Sequence, residues 1–151
     1  MGYKNFHTEL KFGKKYELKS LQFFDNFTEY KQSEGDVSEW DIRLDNGTTY
    51  ETKADRYTLR TNNLCIEYGT LDKKTDEVYS SGLSTSKSDY WIYWAVDEKN
   101  EENNKVWKIP TEQLREIVYS KDRKTRNLGN GWRSRCYLIP TEEVQDYLLP
   151  L

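Results

Sequence analysis

The chain reads as an α/β domain with a mixed central β-sheet flanked by α-helices on both faces, and three patterns predict it. Asp45-Asn46-Gly47 separates two runs of alternating apolar and polar residues, a strong hairpin signal because Asn and Gly tolerate the positive φ such turns need. Short apolar runs of strand length recur at Leu64 to Tyr68 and Tyr90 to Val96. Helical spacing of apolar residues appears before the hairpin and again after Pro110.

In chain order, residues 8 to 26 are expected to be helical, with Leu18, Leu21 and Phe24 on one stripe, Gly13 weakening the early turns and Glu17 at the stripe's edge. Trp40, Ile42 and Leu44 alternate with Asp41, Arg43 and Asp45. On the return strand Tyr50, Thr52 and Ala54 alternate with Glu51 and Lys53, so those two side chains project from one face. A three-residue turn pairs Leu44 with Thr48 and sets Asp41 opposite Glu51. Residues 54 to 63 read as a polar connection, Leu64 to Tyr68 as a strand, and Thr70 to Val78 as a charged irregular excursion. Ser81 to Lys87 is a short helix or turn leading into the buried strand Tyr90 to Val96, and the polar segment 97 to 104 is a hairpin tip before Val106 to Ile109. Thr111 is expected as the N-cap of a helix that buries Leu114, Ile117 and Val118. A turn at Gly129-Asn130-Gly131, a strand at Tyr137 to Ile139 and a helix at Thr141 to Leu148 complete the core.

The 151 residues suit one domain, with no internal repeat. Five tryptophans and twelve tyrosines set the composition apart from a disordered chain and predict an aromatic core. A net charge of -3 argues against uniform coating of nucleic acid but leaves room for local basic patches. No run approaches the ~18 apolar residues of a membrane helix, and the N-terminus lacks an apolar signal core, so a cytoplasmic protein is expected. Cys65 and Cys136 stand far apart without a zinc pattern, and Cys65 reads as a buried free thiol. The single His7 has no partner motif and reads as a surface or capping residue.

The hairpin carries the chemistry. Like charges opposite each other in a sheet are destabilising, and a divalent cation is the natural compensator for Asp41 and Glu51. Hard oxygen ligands of this kind suit Mg²⁺ or Mn²⁺, which lean on one or two carboxylates and the substrate's phosphate. Lys53 has a place beside such an ion, where an ammonium orients water and stabilises charge on phosphate. Taken alone, the same residues equally describe a solvated hairpin face.

Other candidates carry paired readings. Backbone amides, Ser84, Ser86 and Lys87 receive a phosphate or form a solvated turn, and Asp89 is a cap or structural acid. Asn63 contacts a nucleic-acid backbone or shapes its loop, and Glu67 is a neighbour of the metal or a solvent-facing strand residue. The basic run Lys121, Arg123, Lys124 and Arg126 is a phosphate-tracking patch or a flexible solvated loop.

Taken together, GKKYELKSL (13 to 21), Asp41 with ETK (51 to 53), RTNNLCIEY (60 to 68), SGLSTSKSDYWIYW (81 to 94) and KVWKIPTEQLREI (105 to 117) resemble the PD-(D/E)xK nuclease superfamily over most of the chain. Within it the resemblance is to small single-domain resolvase-like or restriction-endonuclease-like enzymes of phage and archaeal type. Glu17 matches the glutamate of the first helix, and Asp41, Glu51 and Lys53 match the metal-site residues. Thr61, Asn63 and Glu67 match a T-G-N-x-x-x-E segment in which Asn62 replaces Gly, and no Pro precedes Asp41. The resemblance implies a restriction-endonuclease-like fold and Mg²⁺-dependent hydrolysis of DNA. Asp41, Glu51 and the Thr52 carbonyl would hold the ion, Lys53 would position water, and Glu17 would complete the metal shell directly or through water. A junction-resolving member would act as a homodimer, whereas a phage DNA-processing endonuclease needs no dimer. The alternative function is a non-catalytic nucleic-acid-binding module that retains the nuclease fold.

Overall fold

The computed structural model describes residues 3–34, 39–128 and 133–151, with side chains from residue 10 onward. The side chain of His7 and the turn expected at residues 129–131 lie outside the described residues. Helix α1 (Tyr3–Lys19) continues into a 3-10 turn (Ser20–Phe23). The strands are β1 (Tyr30–Gln32), β2 (Ile42–Leu44), β3 (Thr49–Asp55), β4 (Asn63–Asp72), β5 (Glu77–Ser80), β6 (Tyr90–Ala95), β7 (Lys105–Pro110), β8 (Thr125–Leu128) and β9 (Ser134–Pro140). Helix α2 (Thr58–Thr61) joins β3 to β4, α3 (Thr111–Tyr119) follows β7, and a 3-10 helix (Thr141–Tyr147) follows β9. Among the described residues no helix is long and apolar enough to cross a membrane.

The chain is α/β, but the single central sheet expected with helices on both faces is divided in two. Five strands form a mixed sheet in the order β1-β2-β3-β6-β7, and four form an antiparallel sheet in the order β5-β4-β9-β8. Within the first, β3 and β6 run parallel from Tyr50↔Tyr90 to Asp55↔Ala95, and the other pairings are antiparallel. Parallel neighbours need a long crossover, and here residues 56–89 supply it, with β4 and β5 inside the crossover. Of these, β4 pairs with β5 and with the later β9, and neither pairs with β3, so the sheet splits.

Alternation then assigns the faces. Ile42, Leu44, Tyr50, Ile92, Trp94 and Val106 are buried against Tyr16 of α1 and the aromatic residues Phe12, Phe23, Phe24 and Phe27. On the opposite face Trp91, Tyr93, Trp107 and Ile109 pack on Leu64, Ile66 and Ile139 of the second sheet, with Leu83 and with Leu114 and Val118 of α3. Strand β6 thus contributes to both cores, and every residue from Trp91 to Val96 is buried. The aromatic core expected from composition is present.

Several local expectations are corrected. Residues 70–78 are not an irregular excursion: β4 runs on to Asp72 and returns as β5, pairing Thr70↔Tyr79, Leu71↔Val78 and Asp72↔Glu77. The Asp72 carboxylate accepts the Lys74 amide at 2.9 Å and Asp76 takes φ +59°, a side-chain-closed turn that the charge density of the segment conceals. The run Lys121 to Arg126 is not wholly a loop, since β8 begins at Thr125 and pairs with β9. Thr111 does not cap α3; it is the first helical residue and its hydroxyl lies 3.3 Å from that of Ser88. Residues 54–63 contain α2, which ends on Asn62 at φ +59°.

That last value places Asn62 in the left-handed region. A left-handed position favours Gly, and Asn is the side chain that tolerates it best. Asn62→Gly is expected to leave stability nearly unchanged, whereas Asn62→Val should cost about 1–2 kcal/mol, read from urea denaturation midpoints.

Candidate active site

The site begins where β2 ends. Its ladder with β3 extends through Ile42↔Tyr50 and Arg43↔Thr49, closed by Leu44 N–H donating to Thr48 O at 2.8 Å. This is the register expected from a three-residue turn. At Asp41 the chain bends out of the strand, with its amide still donating to Tyr50 O at 3.0 Å. Strand β3 stays paired with β6 but runs on past the end of β2, and on that side the Asp41 carboxylate accepts the Thr52 amide through Oδ2 at 2.8 Å. In an extended strand the N–H and C=O of one residue point the same way, so the Thr52 carbonyl faces the same open edge.

Four carboxylates lie near enough to this edge to act on one another through their charge. Asp41 comes from the end of β2, Glu51 from β3, Glu17 from α1 and Glu67 from β4. Helix α1 is tied to β3 by the Tyr50 hydroxyl, which donates to Glu17 O at 2.8 Å. Burial pushes the Glu17 carboxyl up to about 7, with repulsion from Asp41 adding to it, against Lys14 and a hydrogen bond from Gln32. The Asp41 and Glu51 carboxyls both titrate above their ordinary range. Desolvation is the largest cause for each; at Glu51 repulsion from Asp41, Glu67 and Glu17 adds to it, while at Asp41 the Thr52 amide and the positive charge of Lys53 oppose it.

Glu51 is held by a hydroxyl network. Ser86 Oγ donates to Glu51 Oε2 at 2.9 Å and lies 2.8 Å from Ser88 Oγ, while Trp91 Nε1 donates to Ser86 Oγ at 3.2 Å. The loop that carries Ser86 approaches β4 so closely at Gly82, φ +58°, that a Cβ there would sit 2.3 Å from the Glu67 carbonyl oxygen. Arg115 of α3 binds the Leu83 and Ser86 carbonyls and fixes the loop from outside.

The donor set fits a hard cation that keeps much of its water. Among the described residues no three His, Cys, Asp or Glu side chains form a metal-binding group. Asp41, Glu51 and the Thr52 carbonyl are instead the two-carboxylate set that Mg²⁺ and Mn²⁺ accept. The physical case for an ion is the charge imbalance, because desolvated carboxylates repel one another and Lys53 and Lys14 are the cations acting on them.

The remaining sequence candidates divide. Ser84, exposed, donates to Tyr68 O at 2.8 Å, and the buried Ser86 donates to Glu51. Asn63 donates to Thr61 O at 3.3 Å and shapes its turn. Lys87 pairs with Glu39 at 3.1 Å and is 72 % exposed. Arg123 is committed internally: its side chain is 4 % exposed and makes a bidentate pair with Glu143 at 2.6 and 2.9 Å, which Lys121 joins at 3.2 Å. Lys124 and Arg126 are exposed. Asp89 is structural, accepting the Thr49 amide at 2.9 Å.

The sequence reading passed over Trp91, Ser88 and Arg115 as supports of the site, and Asp55, which accepts the Tyr57 and Thr58 amides and the Tyr93 hydroxyl. Only Asp55 leaves a local trace, as an acid three residues before a short helix.

No protein-family model, curated protein or solved structure matches this chain.

Two outcomes follow from the network and the buried acids. Ser86→Ala should raise the Mn²⁺ concentration for half-saturation by about tenfold, the usual effect of losing a group that orients a ligand, with Ser86→Thr retaining more affinity; Mn²⁺ titration followed by electron paramagnetic resonance reads this directly. The acid titration also sets a pH dependence in chelator. Below pH 4.5 Glu17 is protonated folded and unfolded; from there to about 7 the unfolded chain ionises while the folded one keeps its proton, so stability falls as pH rises. Melting temperatures measured across this range should decline, and the decline should flatten in Glu17→Gln.

Proposed function

We propose that this chain is a divalent-metal-dependent deoxyribonuclease with a restriction-endonuclease-like arrangement of its mixed sheet. The observation that carries the reading is the placement of Asp41 and Glu51, desolvated and mutually repelling, beside Lys53 at the open edge of β3. Carboxylates desolvated together beside a lysine are the kind of perturbed cluster that marks functional sites, and a divalent cation would relieve their repulsion.

In this reading Asp41 and Glu51, with the Thr52 carbonyl, would hold Mg²⁺ or Mn²⁺, which would supply Lewis-acid chemistry at the phosphate. Lys53 donates to the attacking oxygen and places positive charge near the phosphate as negative charge grows. Glu17 meets the site from the helix side and orients water there. Ser86 keeps the Glu51 carboxylate aimed, and the packed loop around Gly82 excludes bulk water behind it. In-line attack on phosphorus breaks the bond to the 3′ oxygen and leaves a 5′ phosphate. Junction-resolving and DNA-processing endonucleases both fit this chemistry; the former requires a homodimer that presents two sites.

Cleavage of supercoiled plasmid and of a synthetic four-way junction, with Mg²⁺, Mn²⁺ or EDTA, tests the reading. Wild type should cut only with metal, and Lys53→Ala and Asp41→Asn should lower the rate by about 10²–10³-fold. Paired symmetric nicks select junction resolution. A wild-type protein that binds DNA and cuts neither substrate with either metal is a binding module instead.

A further inference from the structure

The four-stranded sheet presents a face that the catalytic reading does not use. Across an antiparallel ladder, paired residues project to the same side. Arg126 pairs with Cys136, and Cys136 pairs with Glu67, so the three form a row across β8, β9 and β4. Two residues along, Cys65 pairs with Leu138, whose amide donates to Lys124 O at 2.9 Å, which places Lys124 in the next row on the same side. The inner end of this face is the candidate site: the positive charge of Lys53 acts on both Cys65 and Cys136, and the charge of Glu67 acts on Glu51. The outer end carries Arg126, whose charge still reaches Cys65.

The two ends differ in what they offer. Cys65 and Cys136 are buried and free, forming an uncharged floor. Lys124 and Arg126 are exposed, and among the described residues neither makes an ion pair. By contrast Lys121 and Arg123, in the same basic run, are both held by Glu143. Neighbouring strands lie ~4.8 Å apart, so Arg126 stands about 10 Å from Glu67 across the sheet. Neighbouring phosphates of one DNA strand lie farther apart than the ~3.4 Å axial rise, so that span is on the order of one to two phosphates.

We propose that Lys124 and Arg126 bind the backbone of the DNA strand that passes through the candidate site, the strand running across β4, β9 and β8 with these two cations on phosphates close to the one cleaved. The inference rests on the nuclease reading for its inner end and on strand register for its outer end. It makes the chain's overall negative charge compatible with a DNA substrate: the cations that matter are two unpaired ones on one face, not the net balance. It also divides the basic run, with Lys124 and Arg126 meeting substrate while Lys121 and Arg123 hold the Thr141–Tyr147 segment.

The test is DNA binding by fluorescence anisotropy in EDTA, on duplex DNA across a salt series, beside the cleavage assay with metal. The double variant Lys124→Ala/Arg126→Ala should bind more weakly, and its slope of log K against log salt should fall by about 1.8, from two lost phosphate contacts. The charge-keeping variant Arg126→Lys should keep the wild-type slope, and Lys121→Ala should leave it unchanged. Equal melting temperatures confirm that each variant is folded. If wild type binds and cuts while the double variant keeps its slope, the strip is wrong and the nuclease reading stands. If wild type binds without cutting and the double variant loses its slope, the strip stands and the catalytic reading fails. If wild type neither binds nor cuts, both are overturned.

Discussion

The hydrogen bond from the Thr52 amide to the Asp41 carboxylate is the point on which the site depends. A β-strand that stops beside a longer neighbour leaves that neighbour's amides without partners, and a buried unpaired amide is costly. Here the aspartate that ends β2 replaces the missing carbonyl, at 2.8 Å. The substitution lets β3 run on with an open edge, aims the Thr52 carbonyl into that opening, and delivers a carboxylate beside Glu51. Had β2 continued one pairing further in regular form, its backbone would close that edge and the Asp41 side chain would project from the sheet face beside Glu51, no longer free to accept the Thr52 amide.

The cost of this arrangement appears in the protonation of the acids, and the surrounding structure is built to bear it. Glu17, Asp41 and Glu51 all hold protons more tightly than free carboxylates do, chiefly because they are withdrawn from water. The acids stay close because each is attached to something rigid: Asp41 to the Thr52 amide, Glu51 to the Ser86–Ser88–Trp91 group, Glu17 to a helix pinned by the Tyr50 hydroxyl. The charge repulsion is thus concentrated at one edge, behind which the loop carrying Ser86 is packed.

The aromatic core serves the same end. Tyrosine and tryptophan bury large apolar surfaces while keeping one polar atom that needs a partner, and here those atoms connect elements distant in the chain. Trp94 Nε1 donates to Ser20 Oγ at 2.8 Å, joining β6 to the end of α1. The Tyr93 hydroxyl binds Asp55 and accepts the Cys65 amide at 2.9 Å, joining the first sheet to the second. A core of leucine and isoleucine would give equal burial without those tethers, and the two sheets would lack a fixed relation at the point where Lys53 meets Cys65 and Cys136.

Sequence alone determined what depends on near neighbours. The turn at Asp45-Asn46-Gly47 specifies the hairpin register, because turn length sets which residues face each other, and alternation then places Glu51 and Lys53 on one face. The buried strand at Tyr90 and the helix after Pro110 were legible for the same reason. Tertiary structure decided what depends on distant partners. That Ser86 meets Glu51 turned on β3, and which of the four cations from Lys121 to Arg126 would stay unpaired turned on Glu143 and the path of β9, none of them adjacent in the chain. The division into two sheets was likewise invisible to local pattern: a strand's sequence records that one of its faces is buried, but not which strand lies at its edge.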